Sequence, residues 1–124
     1  MLVDDDEDDN FFHEHEIKEN DFANIVIVKD SGRKALDYLI AKTDPLSELI
    51  FLDINMPGMN GWEFLTEYDQ LDAAIQCKAI IIMLSTSENP SDHAKAKAWS
   101  FVSDYITKPL TKKHLEEVVK KYFS

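Results

Sequence analysis

Residues 49–61 read LIFLDINMPGMNG, and how this stretch is read decides the fold. Leu49, Ile50, Phe51 and Leu52 make a short apolar run ending at Asp53, and the turn formers Pro57, Gly58, Asn60 and Gly61 follow closely. A continuous apolar run this short, bounded by turn signals, suits a strand buried on both faces, as in a parallel sheet. Asp53 then stands at the strand's carboxyl end, the edge where open α/β sheets build their sites.

The same pattern repeats on both sides. After the turn, Phe64, Leu65, Tyr68 and Leu71 recur at helical spacing and predict a helix starting at Asn60 or Gly61. Residues 79–84 (AIIIML) form another buried run ending at Ser85-Thr86-Ser87, and Asn89-Pro90-Ser91 opens an Ala- and Lys-rich helix. Residues 102–106 read as a last strand cut off by Pro109, and Thr111 caps a final helix with Leu115, Val118, Val119 and Tyr122 as its buried stripe.

Upstream, residues 25–28 are a β-branched run. Asp30-Ser31-Gly32 reads as a turn and helix cap, Leu36, Leu39 and Ile40 give the helix, and Thr43-Asp44-Pro45 stops it. The chain opens with Leu2 and Val3 running into Asp4, Asp5, Asp6, Glu7, Asp8 and Asp9. Residues 8–20 are expected to be the first helix, with acids favourably placed in its first turn and Phe11, Phe12 and Ile17 as core contacts. His13 and His15 point to different sides of such a helix and make a poor metal pair, so both are expected to be surface or partly packed residues. Strands alternating with helices five times specify a parallel sheet covered on both faces, with right-handed crossovers.

Composition bounds the function. The 124 residues, 44% hydrophobic and 30% charged, suit one soluble domain. No apolar stretch approaches the roughly 20 residues that span a bilayer, and the N-terminus turns acidic by Asp4, so neither a signal peptide nor a membrane anchor is expected. The single Cys77 suits a reducing cytoplasm. The net charge of −11 is uneven: residues 1–22 hold six Asp and four Glu against Lys18, or −9, whereas residues 105–124 hold five Lys and two Glu, or +3. Such a balance argues against nucleic-acid binding, which needs clustered Lys and Arg.

With crossovers of one hand, the carboxyl ends of the first, third, fourth and fifth strands bring together Asp4 and Asp5, Asp53, Ser85 and Thr86, and Lys108. Each is ordinary alone, and a charge run such as 4–9 is usually solvated. Their common position in successive repeats is what marks them. Converging carboxylates repel one another, and a hard divalent cation with oxygen ligands relieves that repulsion. A hydroxyl and an ammonium nearby complete a cage for a phosphoryl group. A calcium loop starting at Asp4 fails, because Asp9 stands where Gly is required and His15 where a bidentate Glu is required.

Asp4-Asp5, the segment from Asp53 through Met56-Pro57 to Asn60-Gly61, the Ser85-Thr86 step and Tyr105-Ile106-Thr107-Lys108-Pro109 together closely resemble the receiver domain of bacterial two-component response regulators. The resemblance covers essentially the whole chain, 1–124, as one receiver domain whose first strand is shortened at its N-terminus. It implies a three-layer αβα sandwich, a flavodoxin-like doubly wound (βα)5 sheet of strand order 2-1-3-4-5. It also implies that Asp53 is the phosphoacceptor, served by a sensor histidine kinase or a histidine phosphotransfer protein. Asp5, Asp53 and the backbone carbonyl of Asn55 would hold Mg²⁺ (or Mn²⁺) directly, and Asp4 would act through water. Lys108, Ser85 and Thr86 would bind the phosphoryl group, Ser85 and Tyr105 would switch, and Asn55 and Ser87 would tune its lifetime. Pro109 stands where the family often has a cis peptide, which X-Pro bonds accept at small cost.

A downstream protein target and a phosphorylation-dependent homodimer are the further partners implied, in the cytoplasm, with no nucleic acid or membrane, the chain being a stand-alone or excised receiver. Phe101 departs from the pattern, standing where the family usually has Gly after the fourth helix. Two other classes fit less well. An aspartyl-nucleophile phosphatase of the haloacid dehalogenase kind wants an acid where Asn55 stands, and a phosphorylation-independent pseudo-receiver usually lacks an acid or the lysine, all of which are present.

Overall fold

The computed structural model describes residues 1–23, 25–41, 49–71, 80–86, 89–99 and 102–123. Strands β1 (Leu2–Val3), β2 (Val28–Lys29), β3 (Leu49–Leu52), β4 (Ile80–Ser85) and β5 (Val102–Thr107) form one parallel sheet in the order β2-β1-β3-β4-β5. Among the described residues the helices are α1 (Glu7–Glu19), α2 (Gly32–Ile40), α3 (Gly61–Asp69), α4 (Pro90–Lys97) and α5 (Lys112–Tyr122). None of them is long and apolar enough to cross a membrane.

The period-2 alternation of the strands feeds two separate cores. Val3, Ile50, Leu52, Ile81 and Met83 face one side with Ala35, Leu36 and Leu39 of α2, Phe64, Leu65 and Tyr68 of α3, and Ala96 of α4. Leu2, Phe51, Ile82 and Leu84 face the other with Ile17 of α1 and Leu115 and Val118 of α5. The central strands therefore carry apolar residues on both faces, which is why LIFL and AIIIML read as continuous runs. Val119 and Tyr122, expected in the α5 stripe, are half-buried. In β5 a bulge places Val102 opposite Ile81 and Asp104 opposite Ile82, leaving Ser103 as the extra residue. The bulge lets Val102 and Tyr105, three apart, share the α2–α4 side.

Local signals set the helix starts. Ser31, Asn60, Asn89 and Thr111 each accept a backbone N–H of the first turn, and Asn60 and Glu63 form a reciprocal capping box. Several expectations are corrected: the bounds of the second strand, the burial of Phe11 and Phe12, the placement of His13 at the surface or partly packed, and the packing of Ile40. The second strand is Val28–Lys29 rather than 25–28, because β1 offers only Leu2 and Val3 for pairing, opposite those two residues, and Ile25 is exposed. The first helix buries neither aromatic: Phe11 is 76% and Phe12 44% exposed. Asp6 caps α1, and the phase this sets turns Asn10, His13 and Ile17 inward. His13 is thus fully buried, and Asn10 donates from Nδ2 to the Asp4 carbonyl at 2.8 Å. Ile40, at the end of α2, is exposed. Thr43-Asp44-Pro45, Ser87 and Phe101 lie outside the described residues.

The turn between Asp53 and α3 is tight. Gly58 has a φ of +77°, in the left-handed region that glycine enters without cost. Gly61 is needed for space: a Cβ there would lie 2.6 Å from the Asp53 carbonyl oxygen and 2.9 Å from the Ile54 Cα. Gly61→Ala must push α3 away from the end of β3, and a loss of about 1–3 kcal/mol, typical of overpacking, is expected in urea unfolding. A variant as stable as the parent protein would contradict this packing.

Candidate functional site

The carboxyl edge of the sheet is fixed by backbone hydrogen bonds between neighbouring strand ends. The Asp4 N–H donates to the Lys29 carbonyl at 3.1 Å, the Asp53 N–H to the Val3 carbonyl at 2.9 Å, and the Lys108 N–H to the Ser85 carbonyl at 2.8 Å. With the β3–β4 ladder, where Leu52 pairs with Met83, these bonds tie the exits of β1, β3, β4 and β5 into one rim. Asp4, Asp53 and Ser85 are buried there and Asp5 is exposed at the mouth. Carboxylate oxygens of Asp4, Asp5 and Asp53 all lie within 4.8 Å of one another.

Lys108 enters this rim from the end of β5, its side chain only 8% exposed. Its Nζ donates to Asp4 Oδ2 at 2.6 Å and to Asp9 Oδ2 at 2.8 Å, and lies 3.5 Å from Asp53 Oδ1. Asp4 Oδ1 in turn accepts the Asp6 N–H at 3.0 Å, which holds the carboxylate at the head of α1. Burial opposes the Lys108 charge, but Asp4, Asp9 and Asp53 outweigh it and hold the ammonium above the ordinary lysine range. For Asp53 the balance runs the other way: burial, then the neighbouring Asp4 charge, push it up to about 6 despite Lys108. His13, beneath this network, is held below the usual histidine range by burial, then by the Lys108 charge.

The remaining sequence candidates are placed around the rim. Thr86 and Asn55 are exposed, Tyr105 is half-buried with its ring 3.9 Å from that of His93 on α4, and the Lys108–Pro109 peptide is cis. Sequence reasoning missed Asp9 and Asn10. The signal was the cap: once Asp6 accepts the Asp8 and Asp9 N–H groups, Asp9 is held in the first turn of α1, close to the end of β1. Reading 4–9 as one charge run hid that distinction.

The donor set fits a hard divalent cation. Three carboxylates, Asp4, Asp5 and Asp53, offer oxygen ligands in one cluster, and two of them share a single ammonium with Asp9, leaving an excess of negative charge.

Comparison with known proteins gives the family and the fold. The family model of the response regulator receiver domain matches residues 1–120, and the chain belongs to that family, the receiver domains of two-component systems. A crystal structure of a two-component response regulator from Cytophaga hutchinsonii is similar with a TM-score of 0.88 at 34% identity, covering 97% of this chain and 92% of that one. The Mn²⁺-bound form of the response regulator Rcp1 matches with a TM-score of 0.73 at 25% identity, over 98% of this chain and 91% of its own. The sensor histidine kinase GacS of Pseudomonas protegens is 29% identical over 97 residues, which is 78% of this chain and 10% of the kinase. The chain spans between 5% and 36% of the length of the first such curated relatives.

The raised Asp53 carboxyl has a consequence for stability. Between its ordinary 3.8 and about 6 the native state binds a proton that the unfolded chain has released, so the Asp53 contribution to stability falls as pH rises through that window. Above it, ionised Asp53 costs about 3 kcal/mol, at ~1.4 kcal/mol per pH unit. Asp53→Asn removes this cost while Lys108 keeps Asp4 and Asp9. With chelator present, urea unfolding should show the variant more stable than the parent at pH 7.5 and the gap closing toward pH 4. A gap independent of pH would contradict the burial and repulsion assigned to Asp53.

Proposed function

We propose that this chain is a phosphoacceptor: Asp53 takes a phosphoryl group from a phosphohistidine of a sensor histidine kinase or a histidine phosphotransfer protein. The observation that carries this reading is the position of the Asp53 carboxylate, buried at a strand end, beside Asp4 and 3.5 Å from the Lys108 ammonium. In the step, an Asp53 oxygen attacks phosphorus in line. The new O–P bond forms as the P–N bond breaks, and its electron pair returns to the imidazole nitrogen. Burial raises the energy of the free Asp53 carboxylate, which makes it a better nucleophile than a solvated one.

Lys108 donates to the phosphoryl oxygens and Ser85, with Thr86 at its side, offers hydroxyl hydrogen bonds. Asp5, Asp53 and the Asn55 carbonyl, with Asp4 through water, would hold Mg²⁺ or Mn²⁺, whose charge offsets that of the phosphoryl group when bound. The Mn²⁺-bound Rcp1 structure supports that cofactor class. Ser85 drawn toward the phosphoryl group leaves space for the Tyr105 ring, and that exchange reshapes the face shared by α4 and β5 for a downstream protein target or a second copy of the chain. Neither Asn55 nor Ser87 is a strong base, so self-dephosphorylation is slow to moderate. A cytoplasmic setting suits this phosphotransfer.

Intact mass after incubation with Mg²⁺ and acetyl phosphate tests the reading. The parent protein should gain one phosphoryl group, and Asp53→Asn, or the parent with chelator, none. Equal labelling of Asp53→Asn, or no gain by the parent, would overturn it, and a phosphorylated lifetime of only seconds would contradict the roles given to Asn55 and Ser87.

A further inference from the structure

We infer that Asp9 is a positioning residue: it holds one of the three N–H donors of Lys108 in the resting protein and so restrains both the rate of phosphorylation and the lifetime of the product. This rests on the phosphoacceptor reading of Asp53. An ammonium has three protons. Asp4 takes one at 2.6 Å and Asp9 a second at 2.8 Å, while the Asp53 oxygen stands off at 3.5 Å. A phosphoryl group on Asp53 meets the third proton, which now faces the Asp53 oxygen, and gains a second hydrogen bond from the same ammonium only when one of the two short bonds yields.

Asp9 is the partner placed to yield. Its side chain is 38% exposed against 6% for Asp4, so its carboxylate can exchange Lys108 for water. Asp4 is held by the Asp6 N–H through the other oxygen and has no such outlet. Asp9 fixes where one Lys108 donor points and not the side chain as a whole, because the stem is buried and the backbone N–H is bonded to the Ser85 carbonyl. Asp9 therefore competes with the phosphoryl group for a donor already in position. Asp9 also sits in the first turn of α1, so the exchange links the charge state of the site to the start of that helix.

The test compares the parent with Asp9→Asn, Asp9→Glu and Asp8→Asn, the last removing an equal charge from a neighbouring exposed residue. Phosphoryl gain from acetyl phosphate and its loss after donor removal are followed by intact mass with Mg²⁺. Asp9→Asn should be phosphorylated faster and hold the group longer, each by roughly tenfold, the scale of one charge-assisted hydrogen bond. Asp9→Glu, which keeps a carboxylate, should stay near the parent, as should Asp8→Asn. In the metal-free proteins the ¹⁵Nζ resonance of Lys108 should move in Asp9→Asn and not in Asp8→Asn, a readout that needs no phosphorylation. Asp9→Asn matching Asp8→Asn in rate, lifetime and Lys108 resonance would overturn the inference, as would an Asp9→Asn slower than the parent. A parent protein that gains no phosphoryl group would instead defeat the phosphoacceptor reading, leaving the Lys108 resonance to decide whether Asp9 holds the ammonium.

Discussion

A single buried ammonium holds the site together. Lys108 Nζ is shared by Asp4 from the end of β1, Asp9 from the first turn of α1 and Asp53 from the end of β3. Burying that charge without partners would cost several kcal/mol, and burying Asp4 and Asp53 side by side without a cation between them would be as unfavourable. Neither set is tolerable alone. Together they form a cluster with an excess of negative charge, the setting that the proposed cation and phosphoryl group would enter.

The fold supplies this arrangement through strand order. With β1 and β3 adjacent and β4 and β5 following, the exits of all four strands are bonded into one rim. Helices on both faces bury β1, β3 and β4, which are apolar up to the ends where Asp4, Asp53 and Ser85 stand. Gly61 lets α3 begin against the Asp53 carbonyl, and the bulge at Ser103 turns Tyr105 toward α4. Each device moves a backbone by one residue or one methyl group, and each is felt at the site.

The central strands β3 and β4 were legible because they are short, apolar on both faces and closed by turn formers: residues 49–53 alone imply a parallel sheet and place Asp53 at its edge. The caps Ser31, Asn60, Asn89 and Thr111 were legible for the same local reason. The phase of α1 was not. Phe11 and Phe12 invite burial by hydropathy, yet they are adjacent and cannot share a face with Ile17, while the core-facing positions belong to Asn10 and His13. Asn10 is buried on the Asp4 carbonyl, and the Lys108 charge that acts on His13 arrives from the end of β5, nearly a hundred residues away. Asp9 escaped notice for that reason too: its partner Lys108 is remote in sequence, and a run of acids looks solvated until one member is seen to meet a buried cation.

The most direct measurement asks which atom carries the phosphoryl group. Borohydride reduces an aspartyl acyl phosphate to homoserine, and peptide mass spectrometry then reads the position. Homoserine at position 53 alone, formed only after incubation with Mg²⁺ and a phosphodonor, is the predicted result. Homoserine at position 4, 5 or 9, or a phosphoryl group retained on a histidine or a hydroxyl, would contradict the assignment of Asp53 as the acceptor.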